Sequence, residues 1–242
     1  MYNTYIMKNF NKSKYIGGKA AMWVAILAVV GAALFGIIKL ASKQDSGENI
    51  NASSISTILP SDHVKGGGAR AVLIEYSDFQ CPACGSYAPV VKKLGEELGE
   101  ELQIVYRHFP LPQHKNAKLA AVVAEAAGMQ GKFWEIHDMI FENQREWSES
   151  DKANEIFLGY ISQLGLDMDK FSQDIGTAGL QKKINNTYIN GVKIGLNSTP
   201  TFFLNGEKIV NPRNYEEFKN LIQQTIDKEH EGSNSQINEQ AL

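Results

Sequence analysis

Apolar and polar residues follow several distinct rhythms along this chain. The first is a solid block: Ala20 to Ile38 runs nineteen residues without a charge. As a helix rising about 1.5 Å per residue it would nearly span the roughly 30 Å core of a bilayer. No polar face interrupts the block, so it reads as a transmembrane anchor over 20–38 rather than a buried globular helix. A cleaved signal peptide is the competing reading, but such apolar regions run only about 7 to 15 residues, and Lys39-Leu40-Ala41-Ser42-Lys43 offers no small-x-small site. Lys8, Lys12, Lys14 and Lys19 precede the block, which points residues 1–19 to the cytoplasm and the body of the chain outward. Residues 39–56 are Ser, Asn, Gln, Asp, Gly and Glu with few apolar anchors, and read as a flexible tether.

The second rhythm is strand-like. Ile55 to Leu59 is short enough for a first strand, Gly66 to Gly68 make a turn, and Ala71 to Tyr76 is apolar on both faces, as in a buried strand, with Glu75 the exception. Leu102 to Phe109 alternates and is rich in Val, Ile, Tyr and Phe, a strand closed by Pro110 and Pro112. Helical spacing then takes over, predicting helices near 116–127, 131–142, 152–164, 168–175 and 178–194 within an inserted helical subdomain of about 114–195. Thr201-Phe202-Phe203-Leu204, Asn205-Gly206 and Lys208-Ile209-Val210 form a hairpin signal. Tyr215 to Lys228 is amphipathic, and 229–242 reads as a disordered polar tail. The pattern predicts an α/β fold over 57–228, a central mixed sheet flanked by helices.

Composition changes this picture in two places. At 242 residues and 43% hydrophobic, the chain can bury one substantial core. From Lys39 onward 20 basic residues face 27 acidic ones, which argues against a nucleic-acid surface. The 2 cysteines are too few to staple a scaffold, so their placement has to be explained by chemistry or metal.

Both fall in Cys81-Pro82-Ala83-Cys84, between the apolar strand at Ala71 to Tyr76 and a helical segment marked by Tyr87, Val91, Leu94 and Leu98. Pro82 suits a first helical turn, and Pro89 should kink the helix that follows. A cysteine at a helix start is where backbone N–H groups and the helix dipole stabilise a thiolate. Zinc needs about four ligands, yet His63, His108, His114, His137 and His230 show no pair at ligand spacing. A redox pair is the favoured reading. His108 and His114 are candidates for lining the active-site face, and Phe133, Trp134 and Ile140 have the spacing of residues that pack the insertion onto the sheet.

Several stretches between Leu59 and Lys228 resemble the thioredoxin-fold thiol:disulfide oxidoreductases of the exported, often membrane-anchored DsbA type. They are Glu75-Tyr76-Ser77-Asp78-Phe79-Gln80-Cys81-Pro82-Ala83-Cys84, Tyr106-Arg107-His108-Phe109-Pro110-Leu111, Phe133-Trp134 with Phe141, and Gly195-Leu196-Asn197-Ser198-Thr199-Pro200-Thr201-Phe202-Phe203. The resemblance implies a thioredoxin fold with a helical insertion, Cys81 as nucleophile, Cys84 as resolving thiol, and a redox-active disulfide between them. It further implies a buried proton-relaying acid at Glu75 and a cis-proline loop, Thr199-Pro200, that pairs with extended substrate. No metal and no bound cofactor are needed, since the disulfide carries the two electrons.

Expected substrates are reduced or misoxidised exported proteins, and the expected reoxidant is a quinone-linked membrane thiol oxidase. Ala83 and Thr199 stand where the strong oxidants of this type often carry histidine and valine, so a reductase or isomerase of the same fold stays open. So does a non-catalytic binding module or holdase that keeps a structural disulfide.

Overall fold

The computed structural model describes residues 57–67 and 70–240, the last nine by backbone alone. The anchor at 20–38, the segment before it and the tether lie outside the described residues, among which no helix is long and apolar enough to cross a membrane. Five strands of the described residues form one mixed sheet: β1 (His63–Lys65), β2 (Ala71–Ser77), β3 (Leu102–His108), β4 (Thr201–Leu204) and β5 (Glu207–Lys208), in spatial order β1-β3-β2-β4-β5. The two apolar runs become the paired centre of the sheet, β2 parallel to β3 with Glu75 opposite Tyr106, while β4 runs antiparallel along the other side of β2. Between β2 and β3 the chain makes helix α1 (Pro82–Leu98), which starts with proline in its first turn and passes through Pro89.

The insertion between β3 and β4 comprises α2 (Ala117–Gly128), α3 (Phe133–Glu142), α4 (Gln144–Trp147), α5 (Ala153–Gln163), α6 (Met168–Ile175) and α7 (Ala178–Lys193); α8 (Tyr215–Gln240) follows the hairpin. The pleat sorts the core. On one face of the sheet Leu73, Leu102, Ile104 and Phe202 pack with Val91 and Leu94 of α1 and Phe218, Ile222 and Ile226 of α8. Ile74, Tyr76, Val105 and Phe203 turn to the other face, against Phe109 and Leu196. Phe133, Ile136 and Ile140 of α3 are buried with Phe79, Cys84 and Tyr106, so the insertion shares a core with the redox helix. Trp134 donates to the Val64 carbonyl at 3.3 Å, which fastens α3 to the sheet edge.

Three elements differ from the pattern reading. The first described strand is β1 rather than 55–59: Asp62 accepts from the Leu59 amide at 2.8 Å and turns the chain there, while residues 55 and 56 lie outside the described part. The hairpin turn has φ of 46° at Asn205 and 85° at Gly206, the left-handed pair that a two-residue turn requires. Its second strand, however, ends at Lys208, and Val210 is 91% exposed. Helix α8 continues through Gln240, across 229–240 where a polar tail was expected, because a nucleated helix propagates at little cost once its first turns are anchored by Phe218, Ile222 and Ile226.

The edge strand is held by charge. Arg107 grips Asp62 with two bonds, Nε to Oδ1 at 3.0 Å and Nη2 to Oδ2 at 2.7 Å, and donates to the Tyr76 hydroxyl at 3.1 Å and the Thr57 carbonyl at 2.8 Å. Both partners are nearly covered, with side-chain exposures of 3% and 6%. Removing one partner strands a buried charge, so Asp62→Ala should lower unfolding free energy by about 3 kcal/mol in urea titration. Breaking the half-exposed Arg70–Glu101 pair should cost under about 1 kcal/mol.

Candidate active site

Burial and one backbone turn place the cysteines. β2 ends at Ser77, and Asp78 opens a turn in which its Oδ1 accepts from the Gln80 amide at 2.7 Å and its carbonyl accepts from the Cys81 amide at 3.0 Å. Cys81 is therefore the N-cap of α1, with φ −67° and ψ 122°. Its thiol donates to the Thr199 carbonyl at 3.4 Å, and the Thr199–Pro200 peptide is cis. Cys84, one turn further in, has no exposed surface and accepts from the Asp78 amide at 3.5 Å. Both sulfurs are free thiols. Thus Cys81, Cys84, Thr199 and Pro200, drawn from two distant stretches of sequence, meet at one end of the sheet, and Glu75 lies beneath them on the α1 face.

The two thiols sit in opposite environments. The Cys84 thiol hydrogen-bonds the Cys81 sulfur, the Thr199 hydroxyl and the backbone amides of Cys84 and Ala83 add to this against the cost of burial, and the Cys81 pKa falls from 9.0 to about 5. For Cys84 burial dominates, its bond to Cys81 and the charge of Glu75 act the same way, and its pKa rises well above 9.0. Glu75 is pushed from 4.5 to about 7, chiefly by burial; the Ser77 side chain opposes this and the Cys81 charge adds a smaller push upward. A carboxyl group that changes protonation near neutrality beside a thiol reluctant to lose its proton can exchange a proton with it.

The flanking network was not apparent in sequence. Asp78 Oδ2 accepts from the Leu111 amide at 2.7 Å and from His114 Nδ1 at 2.6 Å, tying the redox turn to the loop after β3. Gln144 of the insertion donates to the carbonyls of Phe79 at 2.7 Å and Cys81 at 2.8 Å. Gln80 accepts from the Asn116 amide and donates to the Ser148 carbonyl, both at 2.7 Å. The signal for Asp78 was present, since Asp bonding the amide two residues on is a common turn device. Nothing local marks Gln144.

The two candidate histidines take different places. His114 braces Asp78 and lines a cleft with Gln80, Pro82 and Gly85 beside the redox turn. His108 turns away altogether: its Nε2 is 3.0 Å from Glu125 Oε1, which also lies 2.9 Å from His63 Nε2. These three residues bring possible ligand atoms within 4.8 Å of one another. The cation position beside them is filled by Lys183, whose ammonium donates to Glu125 Oε2 at 2.6 Å and lies 3.0 Å from His63 Nε2. These partners hold the Glu125 carboxyl well below its usual range despite burial, which gives a closed ion-pair cluster joining α2, α7 and the sheet.

Residues 59–224 match a family model described as thioredoxin. Among solved structures, alpha-DsbA1 of Wolbachia pipientis aligns with TM-score 0.65 at 23% identity, covering 74% of this chain and 98% of that one. BdbD from Bacillus subtilis, oxidised, gives 0.60 at 19%, covering 69% and 94%. Likenesses at these identities establish the fold. Among curated proteins, the Na(+)/H(+) antiporter NhaA 1 of Salinispora arenicola is 37% identical over 153 residues, 61% of this chain but 22% of that protein. The NhaA antiporter of Herminiimonas arsenicoxydans is 33% identical over 149 residues, 61% and 23%. The chain spans less than a quarter of the length of these curated relatives.

Two pH dependences follow. With Cys81 depressed to about 5, its contribution to the stability of the reduced form is fully present above pH 9.0 and is lost as pH falls through 5. Alkylation of reduced protein by iodoacetamide should accordingly rise through pH 5 and level off by pH 7, with Cys84 unmodified; an inflection near 9 would contradict the site. Glu75 has the opposite sign: burying it costs nothing below pH 4.5 and the penalty is complete above about 7. In urea titrations Glu75→Gln should therefore gain about 3 kcal/mol on wild type between pH 4 and pH 8.

Proposed function

The chain belongs to the thioredoxin family, and from that premise we propose that it works as an oxidase, passing a Cys81–Cys84 disulfide to proteins outside the cytoplasm. It is a thiol:disulfide oxidoreductase, and the observation that carries its direction is the Cys81 thiol held at about 5 beside a deeply buried partner. In the oxidised form a substrate thiolate attacks Cys81 Sγ, the Cys81–Cys84 bond breaks, and a mixed disulfide forms. Cys84 leaves and takes a proton from Glu75. A second substrate thiolate then attacks the substrate's own sulfur and expels Cys81 as a thiolate, so two electrons have entered the pair and the substrate has gained a disulfide. The Thr199 backbone, in contact with Cys81, is positioned to pair with the substrate strand during both attacks.

Direction follows from the leaving group. Lowering Cys81 from 9.0 to about 5 makes it the better leaving group and stabilises the reduced form at neutral pH. That favours release of Cys81 and accumulation of reduced enzyme, the behaviour of a donor of disulfides. Substrates on this reading are reduced or misoxidised exported proteins, and the reoxidant is a quinone-linked membrane thiol oxidase, with the apolar segment at 20–38 as the anchor in its membrane and 39–56 as the tether. Ion transport belongs to the antiporters by name; the matched part is under a quarter of each, and among the described residues no helix is long and apolar enough to cross a membrane.

Cys81→Ala should abolish oxidative refolding of a reduced substrate, whereas Cys84→Ala should trap the mixed disulfide, visible by mass. Retained activity in Cys81→Ala would favour a binding module. In glutathione buffer the pair should equilibrate well above the roughly −270 mV of thioredoxin, and a value at or below it would reverse the direction to a reductase.

A further inference from the structure

The buried acid needs a way to trade protons with water, because below about pH 7 the carboxylate left once Glu75 has given its proton to Cys84 is protonated again, and it has to lose that proton before it can act as the base for Cys84 in the reverse step. Most of its surroundings are closed. Cys84 above it and Phe202, its neighbour on β4, have no exposed surface. Yet three polar atoms on this face are buried without a hydrogen-bond partner: Glu75 Oε1, Ser77 Oγ and Tyr106 Oη. Beside them, between the sheet and helices α1 and α3, lies a cavity of about 20 Å³ lined by Glu75, Tyr106, Ala88, His137, Asp138 and Lys92. One water needs about 10–15 Å³ and two to four polar partners, and these walls supply both.

The outer end of the cavity is built from a fixed carboxylate. Asp138 accepts from His137 Nδ1 at 2.9 Å through Oδ1 and from Lys92 Nζ at 2.9 Å through Oδ2. Lys92 is 38% exposed and Asp138 22%, so this end reaches solvent while His137 is buried. We propose that Glu75 exchanges its proton with solvent through this cavity, by way of one water shared with Tyr106 and passed on to Asp138, with His137 and Lys92 as positioning residues that hold Asp138 at the mouth.

The inference rests on the thiol:disulfide exchange read above and adds its proton route. During reoxidation by a disulfide, Cys81 attacks, one thiol of the oxidant leaves, and a mixed disulfide forms. The Cys84 thiol then gives its proton to the Glu75 carboxylate and attacks Cys81 Sγ, expelling the second thiol. The proton leaves Glu75 through the water to Asp138 and out, and the two electrons reside on the departing thiols. The charged and titratable groups facing Glu75 are Asp78 beyond Ser77, Cys81 and Cys84 with Lys92 on α1, Tyr106 on β3, Lys65 on β1, and His137 with Asp138 on α3. Of these, Asp138 is the carboxylate in contact with both the cavity and solvent.

The test mixes the reduced full chain with oxidised glutathione and follows, by acid quench and mass, the glutathionylated intermediate and the closed disulfide. Below about pH 7 Glu75 begins protonated and has to lose its proton before Cys84 can react. In Asp138→Asn, ring closure should slow about tenfold at pH 6 and stay unchanged at pH 8. Attack by Cys81 and the equilibrium constant with glutathione should both stay within about twofold of wild type. Ala88→Val, which fills the cavity without touching a charge, should give the same pattern and serves if Asp138→Asn folds poorly. Equal slowing at both pH values would mark a merely structural role, and wild-type closure rates at pH 6 in both variants would close this route; either overturns the proposal. Failure of wild type to form any mixed disulfide would instead overturn the oxidoreductase reading beneath it.

Discussion

The hydrogen bonds gathered by one carboxylate, that of Asp78, fix the geometry on which the redox chemistry depends. Its side chain has no exposed surface and binds a backbone amide on each side of the redox turn together with a histidine, while its own amide meets the Cys84 sulfur. Charge-assisted bonds of this kind are about twice as strong as neutral ones, and each satisfies a group that burial would otherwise leave unpaired. The cost of burying a carboxylate is thereby offset. The strand end, the start of α1 and the loop after β3 are locked in one arrangement, and the cysteines inherit it.

Held in that arrangement, two chemically identical thiols diverge because one caps a helix and the other lies beneath it. Cys81 receives amide and thiol donors; Cys84 receives burial and a nearby acid. The divergence divides labour, since the group that attacks and leaves is the one stabilised as an anion. Glu75 lies on the same face as Leu73, and the pleat that buries it raises its pKa and aims it at the underside of α1.

Much of this was legible in the chain. The apolar run ending at Tyr76 was central and buried, the Asn205-Gly206 pair made its turn, and the stretch around Pro200 came to rest against Cys81. Those features are carried by neighbouring residues, and periodicity or turn chemistry reports them directly. What escaped depends on contacts between distant stretches. His108 was a candidate for the active-site face until its pairing with Glu125 on α2 was known, and no local pattern indicates that Lys183 completes the cluster. The extension of α8 escaped for another reason: polar composition argues against packing but does not by itself forbid a helix that is already nucleated.

Gln144 has a wider consequence. It belongs to the insertion, yet its amide closes on the carbonyls of Phe79 and Cys81, and a Cβ at Gly85 would come within 2.6 Å of it. The insertion therefore supplies part of the redox turn's own hydrogen bonding. For protein engineering this means the segment from Phe79 to Cys84 is not a portable cassette: grafted onto a thioredoxin scaffold without the helices that follow β3, it would lose the Gln144 bond to the Phe79 carbonyl and leave the Cys81 carbonyl with only its helical bond from the amide at position 85. The unit that evolution or design can move intact is the turn together with its insertion.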